Sequence, residues 1–405
     1  MAYLGIKSKV LPQPTFDEKD KYKLSNRILT YQFIKSYLDS NLNPNDCLTV
    51  KQFGDKTGYT IRDIVDLVEE FGIKKTGLIL SLNDTHIYKT VLNRTNTGRE
   101  FLIASKVIMQ VSDENIQETA IMKKITEEII EKEVSKHFVI MYKSSKCDKA
   151  KTMVNYNELC DGDIRMLLEN YEKIDADILF NILFQSLLSL ATLNNMIGYT
   201  HNDAHTGNFL YQVNNEEGYY HYRFGDTSFY LKSCPYNICL FDFGVSTPFR
   251  KDTIYIPSNN SFISRDIKRI TTYFKNELNS VSDILEQMDA YVGNNSTDPQ
   301  FKILFFKEIL RLMKEHSPSG MIVDKLDAKD VLLNEKPFII SNHKAVANSS
   351  GGSLTKYIST GEHVHIVYKN KKLKRCVYRK AKGRGKYCKI NKVYILLSKL
   401  KLVDE

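Results

Sequence analysis

The strongest apolar stretch in the chain is Ile178–Leu193 (ILFNILFQSLLSLATL). Read as a helix over 176–196, it is apolar almost all round, so other parts of the protein must enclose it. Asn181, Gln185 and Ser186 interrupt it, no run of eighteen apolar residues exists, and no membrane span is expected. Gly198 supplies the stop. A helix buried on every side needs a large domain around it. The 405 residues offer one such domain, or two to three ordinary ones.

Composition fits that demand. The chain is 42% hydrophobic and 26% charged, which excludes a mostly disordered or collagen-like protein. The net charge of +9 is unevenly placed. Residues 350–405 carry fifteen Lys/Arg and three acidic residues, whereas residues 1–349 carry 42 and 45. The basic character therefore belongs to the tail. The N-terminus, MAYLGIKSKV, lacks the apolar core of a signal peptide. Seven cysteines without a C-x-x-C pair read as reduced thiols in a cytosol-like compartment.

Periodicity predicts a helix over 22–40 with Leu24, Ile28, Tyr31, Ile34 and Leu38 on one face. Strands dominate Gly77–Met109, with turns at Asn83-Asp84 and Asn96–Gly98. Ser112 or Asp113 caps a helix expected over Glu114–Val134, with Ile121, Ile125 and Ile129 aligned. A short strand is expected at His137–Tyr142, a turn at Asp161-Gly162, a helix at Ile164–Glu169 and a buried strand over 237–241. Asp298-Pro299 is a helix start for Phe301–His316. Residues 346–354 form a Ser/Gly linker, and 363–397 alternates like strands around Lys382–Lys386.

Two short segments carry chemistry. YTHNDAHTGNFLY (199–211) follows the buried helix, and ICLFDFGV (238–245) contains a strand. Phosphoryl transfer needs a carboxylate at the acceptor hydroxyl, oxygen ligands for Mg²⁺ and a cation on the nucleotide phosphates. His201-Asn202-Asp203, Asn208 and Asp242-Phe243-Gly244 follow the protein kinase order: His-x-Asp, Asn five residues after the Asp, then Asp-Phe-Gly. Over roughly 75–345 the chain resembles the protein-kinase-like superfamily.

The resemblance implies roles. Asp203 is the base for the substrate hydroxyl, Asn208 and Asp242 are Mg²⁺ ligands, and His201 braces the loop beneath Asp242. Lys106, alone in the strand-like FLIASKVI (101–108), is the phosphate-binding cation, and Glu118 is its carboxylate partner, with Glu128 as fallback. Tyr156–Cys160 occupies the hinge position, so Glu158 and Cys160 are expected beside the ATP adenine. Asp266 resembles the helix-borne carboxylate that supports the catalytic loop.

Three departures are informative. The segment Ile79–Lys89, where a glycine-rich loop belongs, has no glycine, and Asn83, Asp84 and Thr85 stand as the substitute nucleotide contacts. His205 replaces the Lys usual two residues after the catalytic Asp. Thirty-three residues separate Asn208 from Asp242, and this tyrosine-rich insert reads as a β-hairpin. No Ala-Pro-Glu follows Asp242. Together with NELCDGDIRMLL, these features resemble the serine/threonine kinases of large nucleocytoplasmic DNA viruses, distant relatives of the poxvirus virion kinase. That implies a viral enzyme of the host cytoplasm, packaged in the virion.

The tail interleaves basic residues with tyrosines, which suits nucleic acid or an acidic protein. His363, His365, Cys376 and Cys388 match no compact zinc-finger spacing. The expected fold is α+β: an N-terminal helical extension (1–70), a two-lobed kinase-like body (71–156 and 157–345), a linker (346–354) and a basic β-rich module (355–405). The expected function is ATP- and Mg²⁺-dependent transfer to Ser/Thr of protein substrates. The rivals are a pseudokinase scaffold, a small-molecule kinase and a nucleic-acid-binding protein.

Overall fold

The computed structural model describes residues 10–41, 73–82, 85–92, 101–147, 151–251, 254–255, 259–296, 301–341 and the C-terminal strands between 363 and 402. The expected turns at Asn83-Asp84 and Asn96–Gly98, the Asp298-Pro299 cap and the 346–354 linker lie outside them. The chain is an α+β protein.

Helix α1 (Leu24–Asn41) buries Tyr31, Ile34 and Leu38 and packs on β4. An antiparallel sheet follows: β1 (Ile73–Leu82), β2 (Thr85–Leu92), β3 (Phe101–Ile108), β4 (Met141–Cys147) and β5 (Thr152–Glu158), in spatial order β1-β2-β3-β5-β4. Between β3 and β4 runs α2 (Asp113–Ile125). Its cap is Ser112, in a reciprocal box with Asn115. The helix stops short of the expected Val134. After Ile125 it widens into a π-type turn, Thr126–Ile130, and Glu133 then takes a positive φ of 56° that reverses the chain.

The strand expected at His137–Tyr142 begins only at Met141. Its first residues spend their backbone groups elsewhere. Val139 N–H donates to Leu240, Ile140 N–H to the Glu158 carboxylate, and the Lys136 and Phe138 carbonyls accept from Arg27.

The rest is organised by the buried helix. Strand β6 (Gly162–Asp163) occupies the expected turn because Asp161 and Gly162 join the sheet instead, and α3 (Ile164–Leu168) follows. Helix α4 (Ala176–Thr192) is enclosed from Leu179 onward, and Gly198 ends the following π-type turn at φ 86°. Two of the polar interruptions of α4 dock strands, while Ser186 bonds back to the Ile182 carbonyl within the helix. Asn181 donates to the Lys232 carbonyl, while Gln185 donates to the Tyr236 carbonyl and accepts from Ile238 N–H.

Around α4 lie β7 (Tyr199–Thr200), β8 (Phe209–Val213), β9 (Tyr219–Phe224), β10 (Thr227–Lys232), β11 (Tyr236–Leu240) and β12 (Thr247–Pro248). Then come the short pair β13 (Arg250–Lys251) and β14 (Ile254–Tyr255), and helices α5 (Asn259–Thr272), α6 (Val281–Asn295) and α7 (Phe301–Glu315). Strands β15 (Ile322–Val323) and β16 (Phe338–Ser341) flank the β9–β10 pair.

The tyrosine-rich insert is the β9–β10 hairpin, closed with Phe224 opposite Thr227. It belongs to the core. Tyr220, Tyr222 and Phe224 alternate inward, and the Phe229 ring lies 5.8 Å from Phe184 of α4. The Tyr222 hydroxyl donates to His137 Nε2 at 2.7 Å, and His137 Nδ1–H donates to the Ile238 carbonyl. Accepting at Nε2 requires the neutral ring, and burial holds its pKa down at about 3.

The C-terminal strands β17 (His363–Tyr368), β18 (Lys371–Lys382), β19 (Gly385–Ile390), β20 (Val393–Leu396) and β21 (Lys401–Leu402) form one antiparallel sheet. Opposed residues share a face. The register pairs His365 with Arg375, Arg379 with Tyr387, and Lys389 with Tyr394. The same register sets Val364 opposite Cys376 and Tyr378 opposite Cys388.

One buried ion pair fastens α1 to the sheet. Arg27 is 1% exposed. It grips Glu158 through Nε (2.8 Å) and Nη2 (2.7 Å), and donates to the Lys136 and Phe138 carbonyls at 2.6 Å each. Removing one partner leaves a buried, uncompensated charge. Arg27→Ala is expected to lower unfolding free energy by about 3–5 kcal/mol, read by urea denaturation of the full chain. A loss below about 1 kcal/mol would refute the anchor.

Candidate functional site

Lys106 sits in β3, the central strand, opposite Ile87 of β2 and Asn155 of β5. The cap at Ser112 fixes the register of α2, which puts Glu118 on the buried face with Ile121 and Ile125. Lys106 Nζ lies 2.7 and 2.8 Å from the two Glu118 oxygens. Glu118 is 1% exposed, whereas the fallback Glu128 is exposed and outside the site. Lys106 Nζ also lies 3.8 Å from Asp242 Oδ1. Burial works against the ammonium charge. Glu118 and Asp242 outweigh it and hold the Lys106 pKa above that of a free lysine.

The loop after α4 is held from below. The N–H groups of His201 and Asn202 both donate to Asp266 Oδ2 at 2.9 Å. Asp266, on α5, is 2% exposed. His201 is fully buried, with Nε2–H donating to the Phe241 carbonyl and Nδ1 accepting from Asp203 N–H. Asn202 takes a positive φ of 68°, kept by its amide bonds to the Val245 carbonyl and Thr247 hydroxyl. Asp242 is likewise left-handed, at φ 62°.

Asp203 projects from this loop, 38% of its side chain exposed. Arg269 Nη1 donates to its Oδ1 at 2.7 Å. His205 Nε2 stands 3.4 Å from Oδ2, and His205 Nδ1 accepts from Gly207 N–H. A Cβ at Gly207 would come within 2.9 Å of the His205 ring and would displace it. Asn208 Nδ2 donates to the Asp203 carbonyl at 2.9 Å, which leaves its Oδ1 as the acceptor end of the amide. The Asn208 carbonyl accepts from Phe241 N–H and so ties the loop to the residue before Asp242.

These oxygens suit a hard cation. Asn208 Oδ1 and the half-exposed Asp242 carboxylate are the ligand types Mg²⁺ takes when it keeps waters or phosphate oxygens. Among the described residues no cluster of three His, Cys, Asp or Glu forms a protein-only metal cage.

Five expected residues thus gather from distant parts of the sequence: Lys106, Glu118, Asp203, Asn208 and Asp242. Others lie elsewhere. Asn83 and Asp84 are outside the described residues, and Thr85 begins β2, half-buried. Glu158 gives its carboxylate to Arg27 and its N–H to the Ile140 carbonyl. The neighbouring Leu159 carbonyl accepts from Tyr22. Cys160 is a half-buried free thiol, its pKa raised by its bond to Cys239 and by burial. Arg269 went unnoticed in the sequence, although it lies one turn beyond Asp266 on the same helix.

Asp266→Ala would strand two buried N–H groups, each costing about 1–3 kcal/mol. The His201 and Asn202 amides are expected to exchange hydrogen roughly tenfold to a hundredfold faster by NMR. Unchanged protection would show that Asp266 does not hold the loop. A scan against protein-family models and a search of curated proteins find no match to this chain.

Proposed function

We propose that this protein is an ATP- and Mg²⁺-dependent phosphotransferase with a two-lobed, protein-kinase-like architecture, acting on Ser/Thr hydroxyls of proteins. One observation carries the reading. The Lys106–Glu118 pair meets Asp242 at 3.8 Å, and the Asp203–Asn208 loop is bonded to the strand that ends beside Asp242. A purely structural ion pair would close on itself. This one ends on a carboxylate whose side chain is 43% exposed.

The roles follow from position. Lys106, kept protonated and extended by Glu118, holds anionic phosphate oxygens. Asp203 orients the acceptor hydroxyl and takes its proton. His201 and Asp266 keep that carboxylate in place. Bound by Asn208 and Asp242, magnesium would offset the negative charge of the phosphates. The glycine-free segment 79–89 favours the rival, a scaffold that binds without transferring.

The test is transfer from labelled ATP with Mg²⁺ to basic and acidic protein substrates, with Asp203→Ala as comparison. Loss of a general base costs about 10²–10⁴-fold. Incorporation is expected to fall by at least roughly a hundredfold. Equal incorporation by both proteins would overturn the assignment, and ATP binding without transfer by either would establish the scaffold.

A further inference from the structure

The exposed side of α5 forms a groove of about 370 Å³ lined by Ser264, Arg265, Lys268, Arg269 and Thr272. These positions make two adjacent stripes, 264/268/272 and 265/269, on one helical face. Among the described residues, three cations and two hydroxyls line it and no carboxylate does. Asp289 of α6 pairs with Lys268, and Asp203 pairs with Arg269. The Arg265 guanidinium stands 4.7 Å from the Phe262 ring centroid, a contact that uses none of its N–H donors. Arg265 is exposed.

Arg269 belongs to both the groove and the site. It occupies Asp203 Oδ1 while His205 faces Oδ2. The Arg269 N–H on Oδ1 takes the position from which that oxygen would accept the hydrogen bond of an acceptor hydroxyl. An anionic group in the groove competes for the same guanidinium, and so frees Oδ1 for the acceptor hydroxyl. We infer that α5 selects an acidic or phosphorylated protein segment as acceptor, and that Arg269 couples its arrival to the release of Asp203. This rests on the phosphotransferase reading above.

The experiment has two arms. In the first, serine peptides flanked by Asp/Glu, by phosphoserine or by neutral residues are compared by kcat/KM in the wild type and Arg265→Glu. Exposed ion pairs contribute about 0.2–1 kcal/mol each, and charge reversal both removes one and adds a repulsion. The ratio of anionic to neutral kcat/KM is expected to exceed one in the wild type and to fall about three- to tenfold in Arg265→Glu, with Arg265→Lys keeping most of it. The preference is expected to shrink as salt rises. A larger effect on the phosphoserine peptide would identify phosphate as the recognised group, and an equal effect would identify any side-chain anion.

In the second arm, anisotropy measures fluorescent acidic-peptide binding to Asp203→Asn protein with and without Arg265→Glu. Binding weakened by the charge reversal supports the groove whether or not transfer occurs. No transfer to any peptide would defeat the phosphotransferase reading and leave the groove to this binding arm. A wild type indifferent to peptide charge, or a preference that survives Arg265→Glu unchanged, would overturn the inference.

Discussion

Burying the Lys106–Glu118 pair takes two charges out of water at a penalty of several kcal/mol per ion, and only close contact recovers it. The structure meets that condition with two short bonds. Much else is needed to keep them short. Strand β3 must be central, α2 must start at Ser112 for Glu118 to face inward, and Asp242 must hold a left-handed backbone beside them. Each is a local feature with its own cause. Together they position one ammonium group 3.8 Å from the partly exposed Asp242 carboxylate.

A second buried ion pair shows the contrast between structural and chemical use of charge. Arg27 has its Nε, Nη1 and Nη2 all engaged, inside protein, by Glu158 and two carbonyls. Four of its five N–H groups bond protein, and the side chain is fully enclosed, out of reach of a ligand. The Lys106 cluster is buried at one end and open at Asp242. The same physics thus makes an anchor in one place and a half-open site in the other. Asp266 repeats the theme: a buried carboxylate, bonded to two amides, holds the loop that carries Asp203.

Much of this was legible from residue patterns. The all-round apolarity of 176–196 marked α4 as the enclosed helix, and its interruptions Asn181 and Gln185 proved to be docking points for β10 and β11. The tyrosine-rich insert between Asn208 and Asp242 read as a hairpin, and it is one. Lys106 stood out because a lone charge in an apolar strand must find a partner. What was hidden depends on long-range pairing. Arg27 lies in an amphipathic helix where a basic residue reads as solvated, and Glu158 lay in the segment assigned to the adenine edge. The run His137–Tyr142 looked like a strand because its composition is apolar, yet its backbone bonds go to Leu240, Glu158 and Arg27. The coupling of Arg269 to Asp203 joins residues sixty-six apart and has no local signature.

The central claim is that Lys106 and Asp242 face nucleotide phosphates and their cation. Calorimetric titration of ATP, with and without Mg²⁺, into wild type, Lys106→Met and Asp242→Asn tests it most directly. A charge-assisted hydrogen bond contributes about 1.5–3 kcal/mol. Lys106→Met is therefore expected to weaken ATP binding roughly tenfold to a hundredfold, and Asp242→Asn to abolish the gain that Mg²⁺ confers on the wild type. Binding that is indifferent to Mg²⁺ and unchanged in both variants would contradict it.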